Sequence, residues 1–260
     1  MSSTVTYRDA SPLLPLYLIC DTSGSMDYPE RGMSPKPIDV LNDSIINLFH
    51  TVYYDLPRTT TDIHISIISF NDRAVLNRAM DAVDSGDTFT HLQASGLTIL
   101  SAGLEMFERR LDIDERERYP RRSFRPVAFV LTDGKPTDSE EEWGRVIDRL
   151  GSRPFPPRII PCTLGKPEPA VLERLTKAYS ADTGVLVKDI LIDGRDVAQR
   201  ISSLFNRISK TLNEIQIPAD MTTYDMRDQI TIMDATIAEA LTSARNTTTV
   251  SFDDILSGYR

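Results

Sequence analysis

Cysteine and histidine are scarce in this chain of 260 residues, which contains two cysteines and three histidines. The cysteines, Cys20 and Cys162, each lie at the end of an apolar run. No C-x-x-C pair and no cysteine–histidine cluster occurs, so the sequence disfavours a structural zinc site. We therefore expect two buried thiols in a reducing compartment rather than a disulfide framework.

Long apolar runs and excess positive charge are also missing. No stretch approaches the roughly 20 apolar residues that a membrane-spanning helix requires. The N-terminus, MSSTVTYRDASP, has neither the basic start nor the apolar centre of a signal peptide. The formal net charge is −9, whereas nucleic-acid binding needs a basic face. We therefore expect a cytoplasmic protein that binds neither nucleic acid nor a membrane.

The chain instead shows an alternation of strand and helix patterns. Apolar runs typical of buried strands occur at 13–20, 62–70, 126–133, 158–164 and 184–188, with a short edge strand at 74–80. Amphipathic helix patterns occur at 38–56, 100–111, 139–150, 169–179 and 196–212. Ser139 is the predicted N-cap of the third of these helices. This alternation predicts an α/β fold with a doubly wound, Rossmann-like, mostly parallel sheet flanked by helices.

The alternation stops after Leu212, and this change divides the chain. We predict one α/β domain over residues 11–212 and a C-terminal extension over residues 213–260. The extension contains one helix pattern, at 225–243, followed by a threonine-rich loop and a short acidic tail. Its sequence does not decide whether it folds back on the domain or presents an apolar face to another protein.

Carboxylate and hydroxyl side chains follow two of the predicted buried strands. Asp21 ends the first run, in CDTSGSMD, and Ser23 and Ser25 follow it at alternate positions. Asp133 ends the run at 126–133, in LTDGKPTD. Ligands of doubly wound folds bind outside the carboxyl ends of the strands, near the point where strand order reverses. The sequence therefore predicts that these side chains meet at one edge of the sheet.

A threonine just before the helix pattern at 100–111, Thr98 in SGLTIL, completes a set of oxygen donors. Two carboxylates and three hydroxyls suit Mg²⁺ or Mn²⁺ in a shell completed by water. Single residues of this set also fit purely structural roles. Thr98 taken alone fits a helix N-cap, and Asp133 taken alone fits a turn. The predicted metal ligands are Asp21, Ser23, Ser25, Thr98 and Asp133.

Three other chemistries fit the sequence less well. No G-x-x-x-x-G-K-[ST] or G-x-G-x-x-G loop follows a strand, which disfavours a phosphate cradle. A serine nucleophile needs a base, but His50 and His64 belong to helix and strand patterns and no G-x-S-x-G elbow occurs. The ADTG sequence at 181–184 is similar to an aspartic-protease motif, yet the βα alternation does not suit an all-β protease.

The D-x-S-x-S sequence, the later threonine and the aspartate after a central strand resemble the metal-ion-dependent adhesion site (MIDAS) of von Willebrand factor A (vWA) domains. The resemblance covers about 11–212. It implies that Ser23, Ser25 and Thr98 coordinate the ion through hydroxyl oxygens, and that Asp21 and Asp133 hold it directly or through water. It also implies an open coordination position that takes an Asp or Glu carboxylate from a partner protein.

The segments DTSGSM, SGLTILSAGLEM and LTDGKPTD most resemble the bacterial TerY-type branch, which is linked to tellurium resistance and stress systems. That resemblance implies kinase-like or phosphatase-like proteins as partners. The loop DYPERGMSPKP, at 27–37, departs from the family pattern, which usually runs quickly from the motif into the first helix. We expect this loop to gate access or select partners.

These observations favour a metal-dependent protein-binding module and not an enzyme. A metal-dependent phosphohydrolase is the alternative, although two-metal hydrolysis needs more carboxylates than the pattern offers. A scaffold with a vestigial metal site is a third possibility. Two further acids have structural interpretations: we expect Asp72 to serve the turn after the second strand, and Asp138 to brace its own loop or cap the helix that follows.

Overall fold

The computed structural model describes residues 13–29, 35–56, 62–117, 123–132, 135–163, 171, 174–175 and 197–214. Within these ranges the strands are β1 (Leu13–Asp21), β2 (Asp62–Phe70), β3 (Ala74–Ala82), β4 (Val127–Thr132) and β5 (Arg158–Thr163). The helices are α1 (Pro37–His50), α2 (Leu100–Glu117), α3 (Glu140–Gly151) and α4 (Val197–Glu214). Strand and helix alternate as the sequence predicts.

The five strands form one sheet in the order β3-β2-β1-β4-β5. β1 pairs in parallel with both β2 and β4, and β4 pairs in parallel with β5. β3 is an antiparallel edge strand, which agrees with the predicted edge strand at 74–80. Strand order therefore reverses between β1 and β4, and the crevice at their carboxyl ends is the position where such folds bind ligands.

In the described part of the chain, α1 and α4 pack on one face of the sheet and α2 and α3 on the other, which confirms the predicted doubly wound architecture. Alternate residues of β1 face opposite layers, because successive side chains of a strand point to opposite faces. Leu16 and Leu18 belong to the core formed with α1 and α4, whereas Tyr17 and Ile19 belong to the core formed with α2 and α3. β1 is buried along its whole length, so it positions the loop that follows rigidly.

Helices α1 and α2 end at different positions from those predicted. The predicted helix at 38–56 ends at His50, and a π-helical turn at Thr51–Asp55 replaces its last part. The turn begins with β-branched and aromatic residues, which have lower helix propensity. α2 continues to Glu117, because the buried Asp114 accepts hydrogen bonds from Tyr17 of β1 and from Arg110, one turn earlier.

Both cysteines are buried free thiols, as predicted. Cys20 lies on β1 and Cys162 on β5, with β4 between them. Two strand spacings separate their Cα atoms by about 9–10 Å, which exceeds the span of a disulfide. Burial raises the pKa of each thiol far above its ordinary value, so both stay protonated at neutral pH.

Several predicted elements lie outside the described residues. The predicted helix at 169–179 is described at 171 and 174–175 alone, and the predicted strand at 184–188 is not described. The helix pattern at 225–243 and the rest of the extension also lie outside the described part of the chain. In the described part, no helix combines the length and apolar character needed to cross a membrane.

Candidate metal centre

The carboxyl end of β1 delivers a buried carboxylate to the crevice. Asp21 is 1% exposed, and its Oδ1 accepts a hydrogen bond of 2.8 Å from the backbone N–H of Ser23. Its Oδ2 accepts a hydrogen bond of 2.8 Å from the hydroxyl of Thr132, the last residue of β4. A buried carboxylate needs such partners, and these two fix its orientation at the point where β1 and β4 diverge.

Thr132 is a site residue that the sequence interpretation missed. The register of β1 and β4 pairs Cys20 with Leu131, which places Thr132 beside Asp21. The available signal was the polar residue at the end of an otherwise apolar run, directly before Asp133. Its partner becomes evident only when the strand register is known.

The two serines after Asp21 lie side by side. A 3-10 helix at Gly24–Asp27 turns the chain so that Ser23 Oγ and Ser25 Oγ are 3.0 Å apart. Two ligands in neighbouring positions of an octahedral ion, each 2.0–2.1 Å from the metal, would also be about 3 Å apart. Ser23 is buried and Ser25 is exposed, so the pair lies at the surface of the crevice.

The loop before α2, which carries Thr98, is attached to the serine loop by backbone hydrogen bonds. Ser95 N–H donates to Thr22 O at 2.9 Å, and Gly24 N–H donates to Gly96 O at 3.0 Å. Thr98 itself is buried, with 6% exposure. The structure thus brings the loops that carry four predicted ligands to the same edge of the sheet; these ligands are Asp21, Ser23, Ser25 and Thr98.

Asp72 supports the Thr98 loop, which corrects the prediction that it serves its own turn. Its Oδ1 accepts a hydrogen bond of 3.0 Å from Leu97 N–H. The adjacent Gly96 has φ +71°, and a Cβ there would overlap the Asp72 carboxylate. Asn71 adds a second connection, because its carbonyl oxygen accepts from Ile99 N–H at 3.0 Å. The β2–β3 turn therefore fixes the backbone on both sides of Thr98.

The loop after β4 supports the same segment from the other side. Thr137 donates to Thr98 O from its backbone N–H at 2.8 Å and from its hydroxyl at 3.1 Å. Asp138 accepts from Leu100 N–H at 3.0 Å and from Ser101 N–H at 2.8 Å. The prediction that Asp138 braces its own loop or caps the next helix is wrong, because it caps the N-terminus of α2.

The helix that follows Asp138 has its own cap. Ser139 is the N-cap of α3: its hydroxyl accepts from Glu142 N–H, and the Glu142 carboxylate accepts from Ser139 N–H. These backbone and side-chain hydrogen bonds from Ser139 lower the pKa of Glu142. Ser139 was predicted as this N-cap, and the structure agrees.

The fifth predicted ligand, Asp133, lies outside the described residues, so its place in the site stays a prediction. Thr132, directly before it, and Lys135, two residues after it, are described. No group of three or more His, Cys, Asp or Glu side chains that could hold a metal occurs within the described ranges. The described part of the site therefore consists of one carboxylate and several hydroxyls.

The loop at 27–37 is closed at its base by an ion pair. Lys36 Nζ lies 2.9 Å from Asp27 Oδ1, and this hydrogen bond raises the pKa of Lys36. Residues 30–34 lie outside the described part of the chain. Both ends of this loop are therefore held together directly after the 3-10 helix that carries Ser25.

Comparison with known proteins identifies the fold. No protein-family profile and no curated protein matches this chain. A "von Willebrand factor type A" structure from Catenulispora acidiphila matches with a TM-score of 0.53 and 18% identity, over 79% of this chain and 43% of that one. The PilB minor pilin from Streptococcus sanguinis matches with a TM-score of 0.54 and 15% identity, over 79% of this chain and 62% of that one.

This chain thus spans less than half of the first protein's length and 62% of the second's. At these identities the similarity shows a shared fold. The strand order, the parallel pairing and the helices on both faces agree with that result. The chain has the vWA-type α/β fold, and the site described above occupies its carboxyl edge.

Proposed function

We propose that this chain is a metal-ion-dependent protein-binding module that recognises an Asp or Glu side chain of a partner protein. The observation that carries the proposal is the 3.0 Å separation of Ser23 Oγ and Ser25 Oγ beside the buried Asp21 carboxylate. This pair lies where strand order reverses, which is the ligand-binding edge of the fold. The vWA-type fold supports the same function.

The donor set fits a hard divalent cation, with Mg²⁺ or Mn²⁺ as the proposed ion. Ser23, Ser25 and Thr98 would hold it through hydroxyl oxygens, and Asp21 and Asp133 would hold it directly or through water. When bound, the ion supplies a positive charge that attracts an anionic oxygen. The two carboxylates at most neutralise the charge of the cation and the hydroxyls add none, so the loaded site would carry no net negative charge to repel one further carboxylate.

The protein's own contribution is to hold these oxygens in place. The Ser23 amide and the Thr132 hydroxyl orient the two oxygens of Asp21. Hydrogen bonds from Thr137 and to Asp72 fix the backbone around Thr98. Preorganised ligands lower the entropy lost when an ion and then a partner bind.

We further propose a cytoplasmic, bacterial setting of the TerY type, with kinase-like or phosphatase-like partners. The support is the sequence resemblance of DTSGSM, SGLTILSAGLEM and LTDGKPTD to that branch. Candidates of these two classes are therefore the first to test for binding in the presence and absence of Mg²⁺.

Two alternatives make different predictions. A metal-dependent phosphohydrolase would turn over a generic phosphate ester in Mg²⁺ or Mn²⁺, and Asp21→Ala would abolish that turnover. A scaffold with a vestigial site would show no metal effect on binding at all. We favour the binding module because the predicted set contains two carboxylates, whereas two-metal hydrolysis needs more.

Calorimetric titration of Mg²⁺ and Mn²⁺ into the metal-stripped protein tests the proposal. We expect saturable binding and a metal-dependent rise in melting temperature, both lost in Asp21→Ala and Asp133→Ala. The matched control is Asp43→Ala, which removes an exposed carboxylate of α1 and should bind metal like the wild type. Wild-type protein with neither binding heat nor a metal-dependent melting shift would contradict the proposal.

A further inference from the structure

Three large side chains form an exposed stripe on the outer surface of α1 and of the π-helical turn that follows it. Ile46 is 46% exposed, Tyr54 is 62% exposed, and His50 between them is also exposed. Residues four apart in a helix lie on the same face, about one turn from each other. The ring centroids of His50 and Tyr54 are 4.5 Å apart, so the surface is continuous there. We call these three residues the α1 stripe.

The side chains around Tyr54 hold it outward. Tyr53 packs against the core and lies edge-on to Tyr54, with 4.6 Å between the ring centroids. The opposite side of the same helix and turn is buried, at Ile45, Phe49 and Val52. The α1 stripe is therefore the solvent side of a well-packed element and not a frayed end.

The rest of this helical layer is polar at its surface. The outward positions in the first half of α1 carry Asp39 and Asp43. In the described part of α4, which packs beside α1, the exposed residues are Gln199, Ser202 and Asn206. Among the residues that the structure describes, the apolar and aromatic surface of this layer is thus concentrated at the α1 stripe.

The size of the α1 stripe argues against an independent partner. Even a large aromatic side chain buries at most about 250 Å². Three partly exposed side chains therefore fall short of the roughly 800 Å² on each side that a stable interface between separate proteins buries. A segment of the same chain needs far less contact, because its tether gives it an effective concentration in the millimolar range.

The C-terminal extension contains a segment whose pattern fits this surface. Residues 225–243 read DMRDQITIMDATIAEALTS, and five large apolar side chains recur there at three- and four-residue steps. These are Met226, Ile230, Met233, Ile237 and Leu241. The spacing predicts an amphipathic helix, and a helix of this length gains most of its stability in water by packing its apolar face on another surface.

The position of α4 places this segment within reach of the α1 stripe. α4 packs on α1 and also contacts the π-helical turn. It is 18 residues long, which corresponds to about 27 Å, and packed helices lie about 8–10 Å apart. Residues 215–224, which join α4 to the segment, span up to about 33 Å when extended. This linker is therefore long enough to bring the segment onto the α1 stripe.

We propose that residues 225–243 form a helix that folds back on the domain and packs its apolar face on the α1 stripe. The extension then covers the apolar part of this helical layer and is not a binding surface for another protein. The proposal is independent of the metal-dependent function, because none of the predicted metal ligands takes part in the contact.

Hydrogen exchange of the full-length protein, read by mass spectrometry at peptides from 225–243, tests the proposal. In the wild type we expect these amides to exchange more than tenfold more slowly than in an unfolded chain. Ile46→Ser and Tyr54→Ser should each speed their exchange about tenfold, because each removes apolar contact that holds the segment on the domain. Isoleucine and serine have similar helix propensities, so α1 itself should stay protected in Ile46→Ser.

Two matched controls separate docking on the α1 stripe from other effects. Phe155→Ser removes a side chain of similar exposure, 51%, from the chain after α3, which covers the other face of the sheet, and should leave the exchange unchanged. Within the segment, Ile237→Ser should abolish the protection, whereas Thr231→Ser, on the polar side of the predicted helix, should retain it. Peptides from the buried strand β1 should stay protected in every variant, which shows that the domain remains folded.

Three results would overturn the proposal. Exchange of 225–243 at the rate of an unfolded chain in the wild type would show that the segment does not fold back. Protection that neither Ile46→Ser nor Tyr54→Ser reduces would show that it packs elsewhere. Protection that appears only as the protein concentration rises, together with dimers in sedimentation, would assign the α1 stripe to a second copy of this chain.

Discussion

Asp21 is the residue on which the site depends most, and its environment explains how a carboxylate is retained with 1% exposure. An isolated buried carboxylate would be strongly destabilising, but one oxygen accepts from the Ser23 amide and the other from the Thr132 hydroxyl. The Thr132 bond also joins the carboxyl ends of β1 and β4. The same two contacts therefore serve stability and ligand placement.

Replacing Thr132 by valine tests this contact with little change in shape. We expect Thr132→Val to lower the free energy of unfolding by about 1–3 kcal/mol, because the buried Asp21 carboxyl loses one of its hydrogen-bond donors. Metal affinity should fall as well, since Asp21 then loses one of the hydrogen bonds that orient it. Urea unfolding and metal titration measure the two effects.

Thr132→Ser is the matched control for that experiment, because it keeps the hydroxyl and removes a methyl group. It should retain metal affinity close to that of the wild type. Equal stability of Thr132→Val and Thr132→Ser would show that the hydrogen bond to Asp21 contributes little.

Gly96 gives a second prediction at the residue scale. Its φ of +71° disfavours any side chain, and a Cβ would also overlap Asp72. Gly86 has φ +90° but no heavy atom within 4 Å of the position where a Cβ would lie. We therefore expect Gly96→Ala to lower the melting temperature more than Gly86→Ala, and to weaken metal binding as Thr98 shifts. Similar losses in both variants would show that Asp72 moves aside easily.

At the scale of elements, the N-terminus of α3 is stabilised by the reciprocal hydrogen bonds of Ser139 and Glu142. We expect Ser139→Ala to lower stability at neutral pH by about 1 kcal/mol, the usual effect of removing an N-cap. Since the variant keeps Asp138 and its hydrogen bonds to Leu100 and Ser101, metal affinity per folded molecule should be unchanged. Thermal unfolding with and without Mg²⁺ measures both.

The stability that the Ser139–Glu142 cap contributes depends on pH, and the lowered pKa of Glu142 gives the sign of this dependence. The pKa of Glu142 is lowered in the folded protein from its ordinary value of 4.5. Its contribution to stability is therefore present above pH 4.5 and is lost as pH falls through the lower, folded-state pKa. We expect the stability difference between wild type and Ser139→Ala to shrink over that range. A difference that grows on acidification would contradict the interpretation.

Much of the element pattern could be predicted from the sequence, because hydrophobic periodicity directly reports which face of an element is buried. β2 has the predicted bounds, and α3 begins directly after the predicted cap, Ser139. The end of α1 was misplaced because its apolar spacing continues through the π-helical turn at Thr51–Asp55. Periodicity alone does not distinguish that turn from a continuing α-helix.

The support of the site could not be predicted in the same way. The register of β1 and β4 places the Thr132 hydroxyl beside Asp21. Asp72 accepts a hydrogen bond from the loop before α2, and Asp138, in the loop after β4, caps α2. Each of these contacts joins residues that are distant in sequence. Local patterns such as turn propensity therefore assigned Asp72 and Asp138 to nearby roles, and tertiary packing gives them more distant ones.

At the scale of the whole molecule, the fold separates two edges of the sheet. The carboxyl edge carries Asp21, the serine pair and the loop of Thr98, whereas the connections from α1 to β2 and from α3 to β5 lie at the opposite edge. The net charge of −9 means that a cation also meets many acidic side chains elsewhere. The place on the protein where a divalent cation binds must therefore distinguish specific binding at the site from diffuse electrostatic attraction to acidic side chains.

Paramagnetic broadening by Mn²⁺ in amide NMR spectra of the isotope-labelled full chain is the most direct test of that position. At low Mn²⁺ we predict loss of the amide signals of residues 23–26 and 95–99. The signals of Tyr54 and Phe155, at the opposite edge, should persist, and Asp21→Ala should restore the lost signals. Broadening centred on other acidic surfaces, or unchanged by Asp21→Ala, would contradict the central claim that these loops hold a divalent ion.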